Sequence, residues 1–128
     1  GGGMKVFVIA GEPSGDKLGA ALMRGLKSQS QEPVQFQGVG GEGMIAEGLN
    51  SLFPMSEIAI MGIGAILKEY RNLKRRIRET ANTIIAEKPD VLVTIDLPEF
   101  CLRVAELVKA ESDIRVVHYV APMTPSGG

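Results

Sequence analysis

The chain has 128 residues, 45% of them hydrophobic, and a net charge of −1, which is enough for one ordinary core and leaves little room for a second. Its apolar runs are shorter than the roughly 20 residues that a membrane-spanning helix needs, and no charged and apolar leader stands at its start, so we expect a soluble cytoplasmic protein. The single cysteine, Cys101, excludes an internal disulfide and a cysteine-based zinc site.

The first half of the sequence alternates apolar runs with helical patterns. Residues 6–10 predict a buried strand, and apolar residues at three- and four-residue spacing predict a helix over residues 17–30. A second strand is predicted at residues 35–39, followed by a short helix at 44–47. Residues 52–53 are a weak strand candidate.

The second half repeats this alternation with clearer signals. Residues 58–70 are apolar and predict helical turns, and residues 71–88 predict an amphipathic helix with a basic outer face. The run at 91–95 predicts a strand buried on both faces, and a helix at 99–110 leads to a last strand at 115–119. Strands that alternate with helices imply an α/β fold of Rossmann type, with a mostly parallel, doubly wound sheet.

The loop Gly11-Glu12-Pro13-Ser14-Gly15-Asp16 follows the first strand and is a candidate binding loop. Its backbone amides would hold an anion while Glu12, Ser14 and Asp16 hydrogen-bond sugar hydroxyls. Two carboxylates argue against a bare phosphate site, and no Gly-Lys-Ser/Thr follows, as a nucleotide-hydrolysing loop would need. The alternative is a turn in which Asp16 is the helix N-cap and Gly15 relieves backbone strain. Both interpretations stay open on the residues alone.

A second glycine loop, residues 38–43, fits the spacing Gly-x-Gly-x-x-Gly. A dinucleotide site would place this loop after the first strand, whereas here it follows the second. We therefore prefer a tight turn entering a helix to a nicotinamide site.

Asp96 directly follows the buried strand at 91–95 and is the better candidate for a general base. The alternative is that Asp96 caps the next helix, which Pro98 near the first turn favours. His118 is the only histidine, and a lone histidine is more often packed or hydrogen-bonded than catalytic. Because no second histidine exists to build a metal site, we predict neither a metal nor a cofactor.

An apolar stripe directly precedes a basic run. Ile63, Ile66, Leu67 and Tyr70 share one helical face, and residues 68–78 hold six cations and one acid. Such a combination docks on an anionic membrane surface. The alternative, which the residues alone favour, is that the apolar side chains pack in the core and the cations are solvated.

Six short motifs follow one another along residues 4–122. They are Gly11-Glu12-Pro13-Ser14-Gly15-Asp16, Gly38-Val39-Gly40-Gly41, Ile60-Met61-Gly62-Ile63, Pro89-Asp90-Val91, Ile95-Asp96-Leu97-Pro98-Glu99-Phe100 and His118-Tyr119-Val120-Ala121-Pro122. In order and spacing they resemble the lipid-A-disaccharide synthase family. The resemblance implies the acceptor-side, amino-terminal domain of a GT-B type glycosyltransferase at residues 4–122, with residues 1–3 and 123–128 as added or linker segments.

The resemblance also implies an inverting hexosyltransferase of lipid A and lipopolysaccharide biosynthesis. Such an enzyme joins UDP-2,3-diacylglucosamine to 2,3-diacylglucosamine-1-phosphate through a β-1′,6 linkage and releases UDP. Asp96 would be the catalytic base or would position the acceptor's 6-hydroxyl. The acceptor-side cleft residues would be Glu12, Ser14, Gly15, Asp16 and Glu99.

The partners that the resemblance implies are a lipid-linked monosaccharide acceptor, a UDP-sugar donor and the cytoplasmic face of the inner membrane in a Gram-negative type of bacterium, without nucleic acid. The resemblance also favours a membrane-facing position for the apolar stripe over packing in the core. The predicted membrane patch consists of Ile63, Ile66, Leu67, Tyr70, Lys74, Arg75 and Arg76.

The family continues beyond Pro122 with a tryptophan-containing segment and a donor-binding domain, whereas this sequence has no tryptophan. We therefore expect a domain that lacks transferase activity alone. The alternatives are another sugar-nucleotide enzyme with twin Rossmann domains, such as an epimerase or a different glycosyltransferase, and a non-catalytic module that binds nucleotides or membranes.

Overall fold

The computed structural model describes residues 3–62 and 67–120, which form five strands and five helices. In chain order these are β1 (Met4–Ile9), α1 (Pro13–Gln29), β2 (Val34–Val39), α2 (Glu42–Ala46), β3 (Asn50–Ser51), α3 (Met55–Gly62), α4 (Leu67–Glu87), β4 (Val91–Ile95), α5 (Pro98–Glu111) and β5 (Arg115–Tyr119). No helix in these two stretches is both long enough and apolar enough to cross a bilayer.

The strands form one sheet in the order β3-β2-β1-β4-β5, and every neighbouring pair is parallel. The central strand β1 pairs on both sides: Val6 stands opposite Phe36 of β2 and Val91 of β4. Its apolar run has no polar alternation because helices cover both faces of the sheet. The predicted α/β fold with a doubly wound parallel sheet is confirmed.

Each face of the sheet carries its own core. Alternate β1 residues point to opposite faces, so Val6 and Val8 join the α1 and α2 side while Phe7 and Ile9 join the side covered by α3, α4 and α5. Because all strands run the same way, their carboxyl ends meet at one edge, where the loops after β1, β2 and β4 gather. In folds of this type, ligands bind at that edge.

The predicted start of the first helix and the predicted position of the third strand are wrong. Helix α1 begins at Pro13, because proline's fixed φ and missing N–H suit the first helical position. Asp16 therefore lies inside the first turn, and its predicted role as the N-cap of this helix is wrong, since Glu12 occupies that position. The short strand β3 is at Asn50–Ser51 and not at residues 52–53.

The amphipathic helix α4 is longer than predicted but has the predicted faces. It begins at Leu67, four residues earlier. Leu73, Ile77 and Ile84 are buried against the sheet, while the basic side chains on the opposite face are exposed. The helical turns expected over residues 58–70 are present in α3 and at the start of α4, and residues 63–66 lie outside the described residues.

Candidate functional site

Asp16 joins the first two loops of the carboxyl edge. Its side chain is buried, with 8% of the residue exposed. Oδ1 accepts N–H bonds from Gly41 at 2.9 Å and from Met44 at 2.9 Å, and Oδ2 accepts one from Gly43 at 2.8 Å. These amides belong to the start of α2, where backbone N–H groups lack helical partners and favour a negative charge. Asp16 therefore caps α2 from a neighbouring helix.

The glycines of the second loop are explained by close packing. A Cβ atom on Gly43 would lie 2.9 Å from Oδ2 of Asp16, and one on Gly40 would lie 2.6 Å from Sδ of Met44. Gly38 has a φ of +145°, and a Cβ there would collide with the carbonyl of Val8. The Gly-x-Gly-x-x-Gly spacing thus serves a tight turn against α1 and β1.

The remaining predicted residues of the first loop divide into exposed and packed groups. Glu12 and Ser14 are exposed at the carboxyl edge. Gly15 is buried, and a Cβ on it would lie 3.4 Å from Cβ of Ala10 and 3.5 Å from Cγ2 of Ile95. Gly15 therefore lets α1 lie close to the ends of β1 and β4, while the two polar side chains are accessible to a ligand.

Asp96 lies where the backbone is strained. Asp96 and Leu97 have φ angles of +51° and +57°, in the left-handed region that non-glycine residues rarely adopt. The Asp96 N–H donates to the carbonyl of Tyr119 at 2.8 Å. The Leu97 side chain lies so close to Gly11 that a Cβ there would collide with it. Strain of this kind persists only where the surroundings hold it, and it is concentrated at functional sites.

A largely apolar cavity of about 230 Å³ lies beside Asp96. On one wall, Oγ1 of Thr94 and Nδ1 of His118 are 2.6 Å apart, so the expectation of a hydrogen-bonded histidine is confirmed. The Cys101 thiol also lines the cavity, and burial raises its pKa to about 12.

Glu99 is exposed in the first turn of α5, whose N-cap position belongs to Leu97. Asp96 itself is half-buried.

The predicted membrane patch separates into two kinds of side chain. Tyr70 is 40% exposed, with Nζ of Lys74 5.4 Å from its ring centre, and Arg75 is exposed beside them. Arg76 is different: its side chain is 18% exposed, pairs with Glu57 at 2.8 Å and with Glu79 at 2.9 Å, and lies 4.5 Å above the ring of Phe53. Arg76 therefore connects α4 to α3. Ile63, Ile66 and the side chain of Leu67 lie outside the described residues.

Comparison with known proteins decides the family. The family model described as lipid-A-disaccharide synthetase matches residues 6–124. The chain belongs to this family. It is 60% identical over 119 residues to a lipid-A-disaccharide synthase of Ruegeria pomeroyi, covering 93% of this chain and 29% of that protein. A relative from Pseudomonas fluorescens with the same name is 48% identical over 119 residues, covering 93% of this chain and 31% of the relative.

The family resemblance inferred from the six motifs is thus confirmed, and the chain spans about 30% of the length of the curated relatives it matches. Other features of the site had no signal in the sequence. The left-handed backbone at Asp96 and the contact of Leu97 with Gly11 depend on how two loops meet in space. In the described part of the chain, no group of three or more acidic, cysteine or histidine side chains is arranged to hold a metal ion.

Proposed function

We propose that this chain is the acceptor-side, amino-terminal part of a lipid-A-disaccharide synthase. The complete enzyme would join UDP-2,3-diacylglucosamine to 2,3-diacylglucosamine-1-phosphate and form the β-1′,6 disaccharide and UDP. The observation that carries this proposal is the family match over residues 6–124, together with a carboxylate at the carboxyl edge of the sheet, Asp96. Because relatives are about three times as long, we expect activity only from the complete protein.

Asp96 would act on the acceptor's 6-hydroxyl. As this oxygen attacks the anomeric carbon of the donor, its proton moves to the carboxylate, the bond to UDP breaks, and the configuration at that carbon inverts. A general base typically contributes about 10²- to 10⁴-fold in rate. The bond to the Tyr119 carbonyl and the Leu97 contact hold the Asp96 backbone, and a fixed base position is what such a transfer requires.

The first loop would position the acceptor sugar. Glu12 and Ser14 are exposed at the same edge as Asp96 and would hydrogen-bond sugar hydroxyls. Gly15 and Asp16 would act indirectly, because Gly15 is packed against β4 and both oxygens of Asp16 already accept backbone N–H bonds. Glu99, exposed in the first turn of α5, would face the acceptor from the other side of Asp96.

The donor and the membrane would be contacted mainly elsewhere. We assign most UDP-sugar contacts to the part of the enzyme that this chain does not include. The acyl chains of both substrates call for a peripheral position on the cytoplasmic face of the inner membrane, with the exposed Tyr70, Lys74 and Arg75 near the lipid. Neither a cofactor nor nucleic acid is part of this proposal.

The test is UDP release by the complete enzyme that carries these residues. We expect Asp96→Asn to lower kcat by about 10²- to 10⁴-fold, because the amide cannot accept the proton. The matched control is Asp113→Asn, which removes an equal charge from an exposed side chain between α5 and β5. Unchanged turnover in Asp96→Asn would remove the catalytic assignment. Absence of UDP release from the unmodified enzyme with the diacyl acceptor would contradict the proposed reaction.

A further inference from the structure

Thr94 is a polar residue in an otherwise apolar strand. It is 1% exposed, and the other residues of β4 are Val91, Leu92, Val93 and Ile95. Valine has the same branched shape without the hydroxyl, and a buried hydroxyl costs stability unless it is hydrogen-bonded. The presence of a hydroxyl at this position is therefore explained by its partners and not by packing.

The main partner of Thr94 is a side chain of the neighbouring strand. Its Oγ1 lies 2.6 Å from Nδ1 of His118, which stands opposite it on β5. Asp16 and Thr80, the other buried polar side chains in the described part of the chain, bond to backbone groups. Thr94 differs because its hydroxyl bonds to the side chains of His118 and Cys101. A side-chain bond thus connects β4 to β5 close to the carboxyl edge.

The length of this bond and its surroundings indicate where the proton lies. An N–H donor usually lies about 2.7–3.2 Å from an oxygen acceptor, so a separation of 2.6 Å fits an O–H donor better. Burial raises the pKa of the Cys101 thiol to about 12, so the thiol keeps its own proton. Sulfur is also a weaker acceptor than an imidazole nitrogen. The Thr94 hydroxyl therefore donates to Nδ1, and neutral His118 carries its proton on Nε2.

The Thr94–His118 pair adjoins the strained junction at Asp96. Asp96 follows Thr94 by two residues, and its N–H donates to the carbonyl of Tyr119, the residue after His118. Thr94, Asp96 and His118 line the same cavity. The φ angle of +51° at Asp96 is of the kind that persists only where the surroundings hold the backbone. The bond between the two strand ends is in the right place to supply that hold.

We propose that His118 is a positioning residue for Asp96. By accepting the Thr94 hydroxyl at Nδ1, it fixes the end of β5 to the end of β4, so that the Tyr119 carbonyl stays where it binds the Asp96 N–H. His118 takes no proton from the substrate in this role. The inference deepens the proposed function and rests on it, because it concerns the placement of the base. Misplacing a reacting group by about 1 Å can cost about 10²-fold in rate.

The first test measures UDP release by the complete enzyme with His118 variants. His118→Asn places an amide oxygen near the position of Nδ1, whereas His118→Gln places its amide near the position of Nε2. We expect His118→Ala and His118→Gln to lower kcat by about 10-fold at unchanged KM. His118→Asn should restore most of the lost rate, because it keeps an acceptor for Thr94.

Three results of this test would overturn the proposal. Restoration by His118→Gln and not by His118→Asn would make Nε2 the functional atom. A raised KM at unchanged kcat would make His118 a substrate-binding residue. Unchanged kcat and KM in His118→Ala would leave it without a role in the reaction.

A double-mutant cycle tests whether His118 acts through Thr94 and Asp96. We expect Thr94→Val/His118→Ala to be no slower than either single variant, and His118→Ala to cause no further loss once Asp96→Asn is present. The matched control is Thr83→Val, which removes a hydroxyl bonded to the Glu79 carbonyl within α4 and should leave kcat unchanged. Multiplicative losses in either pair would overturn the proposal, since a general loss of stability acts independently of the base.

Nitrogen NMR of the 128-residue chain tests the bond without turnover. His118 is the only histidine, so both ring nitrogens are assigned directly. With the imidazole neutral, we expect a bare Nδ1 and a protonated Nε2, and a mixture of both forms in Thr94→Val. A protonated Nδ1, or the same spectrum in Thr94→Val, would overturn the role of His118 alone. Absence of UDP release from the unmodified enzyme would instead overturn the proposed function, and the role of His118 with it. A thermal melt of each variant checks that it is folded.

Discussion

Two aspartates near the carboxyl edge of the sheet have opposite surroundings. Asp16, in the first turn of α1, is 8% exposed, and its oxygens accept three backbone N–H bonds. Asp96, after β4, is half-buried, stands on left-handed backbone and borders a cavity. The motifs around both residues look equally suited to binding. The difference teaches that a carboxylate near the edge of the sheet can organise the loops or border a cavity, and that burial and backbone conformation distinguish these two settings.

The largest effect on stability is expected at Asp16. We expect Asp16→Ala to lower the free energy of unfolding by about 3 kcal/mol or more, because three N–H groups at the start of α2 lose a charged acceptor. Asp96→Asn should lower it by less, about 1 kcal/mol or below, since asparagine keeps the shape of the side chain and tolerates left-handed backbone. Equilibrium urea denaturation of the 128-residue chain measures both values. If the two variants lost the same stability, the comparison of the two aspartates would fail.

The sequence predicted what depends on local pattern. Apolar runs located four of the five strands, and the spacing of Leu73, Ile77 and Ile84 located the buried face of α4. It did not predict contacts between distant residues. Asp16 and Met44 are 28 positions apart, and their bond forms because α1 and α2 both begin at the carboxyl ends of neighbouring parallel strands.

The same limit applies to charge and to backbone conformation. Arg76 belongs to a basic run, yet its partner Glu57 is 19 positions away on another helix. Leu97 precedes a proline, which disfavours right-handed helix and marks a boundary, but nothing local selects the left-handed region. The start of α1, by contrast, has a local signal in the sequence, because Pro13 suits the first helical position.

A smaller effect is expected where the first loop supports Asp96. Gly11→Ala should lower the free energy of unfolding by about 2 kcal/mol and also lower kcat of the complete enzyme, because the new Cβ would collide with Leu97 and displace the strained junction. Gly25→Ala is the matched control: a Cβ there would meet nothing within 4 Å. Alanine in that helix should stabilise the chain by about 0.5–1 kcal/mol. Unchanged kcat in Gly11→Ala would show that Leu97 does not hold Asp96 in place.

The smallest expected effect is the contribution of the Asp96 charge to a pH dependence at Cys101, to which Asp16 does not contribute. Burial raises the pKa of the Cys101 thiol from near 9 to about 12, and the Asp96 charge adds to the rise. The protonated thiol is therefore favoured in the folded state, so its contribution to stability is complete below pH 9 and is lost as the pH rises towards 12. The slope should be at most about 1.4 kcal/mol per pH unit.

Urea denaturation between pH 8 and pH 11, compared with Cys101→Ala, isolates this contribution from other groups that titrate in the same range. The difference in unfolding free energy between the chains with and without the Cys101 thiol should shrink when Asp96→Asn is introduced into both. The reason is that removing a nearby negative charge lets the thiol ionise at lower pH. The difference should persist in Asp16→Asn wherever that variant is folded, since Asp16 is not among the groups that shift the thiol. If the thiol contribution had the same pH dependence in both aspartate variants, the Asp96 charge would not act on the Cys101 thiol. That result would count against Asp96 as a base beside this cavity.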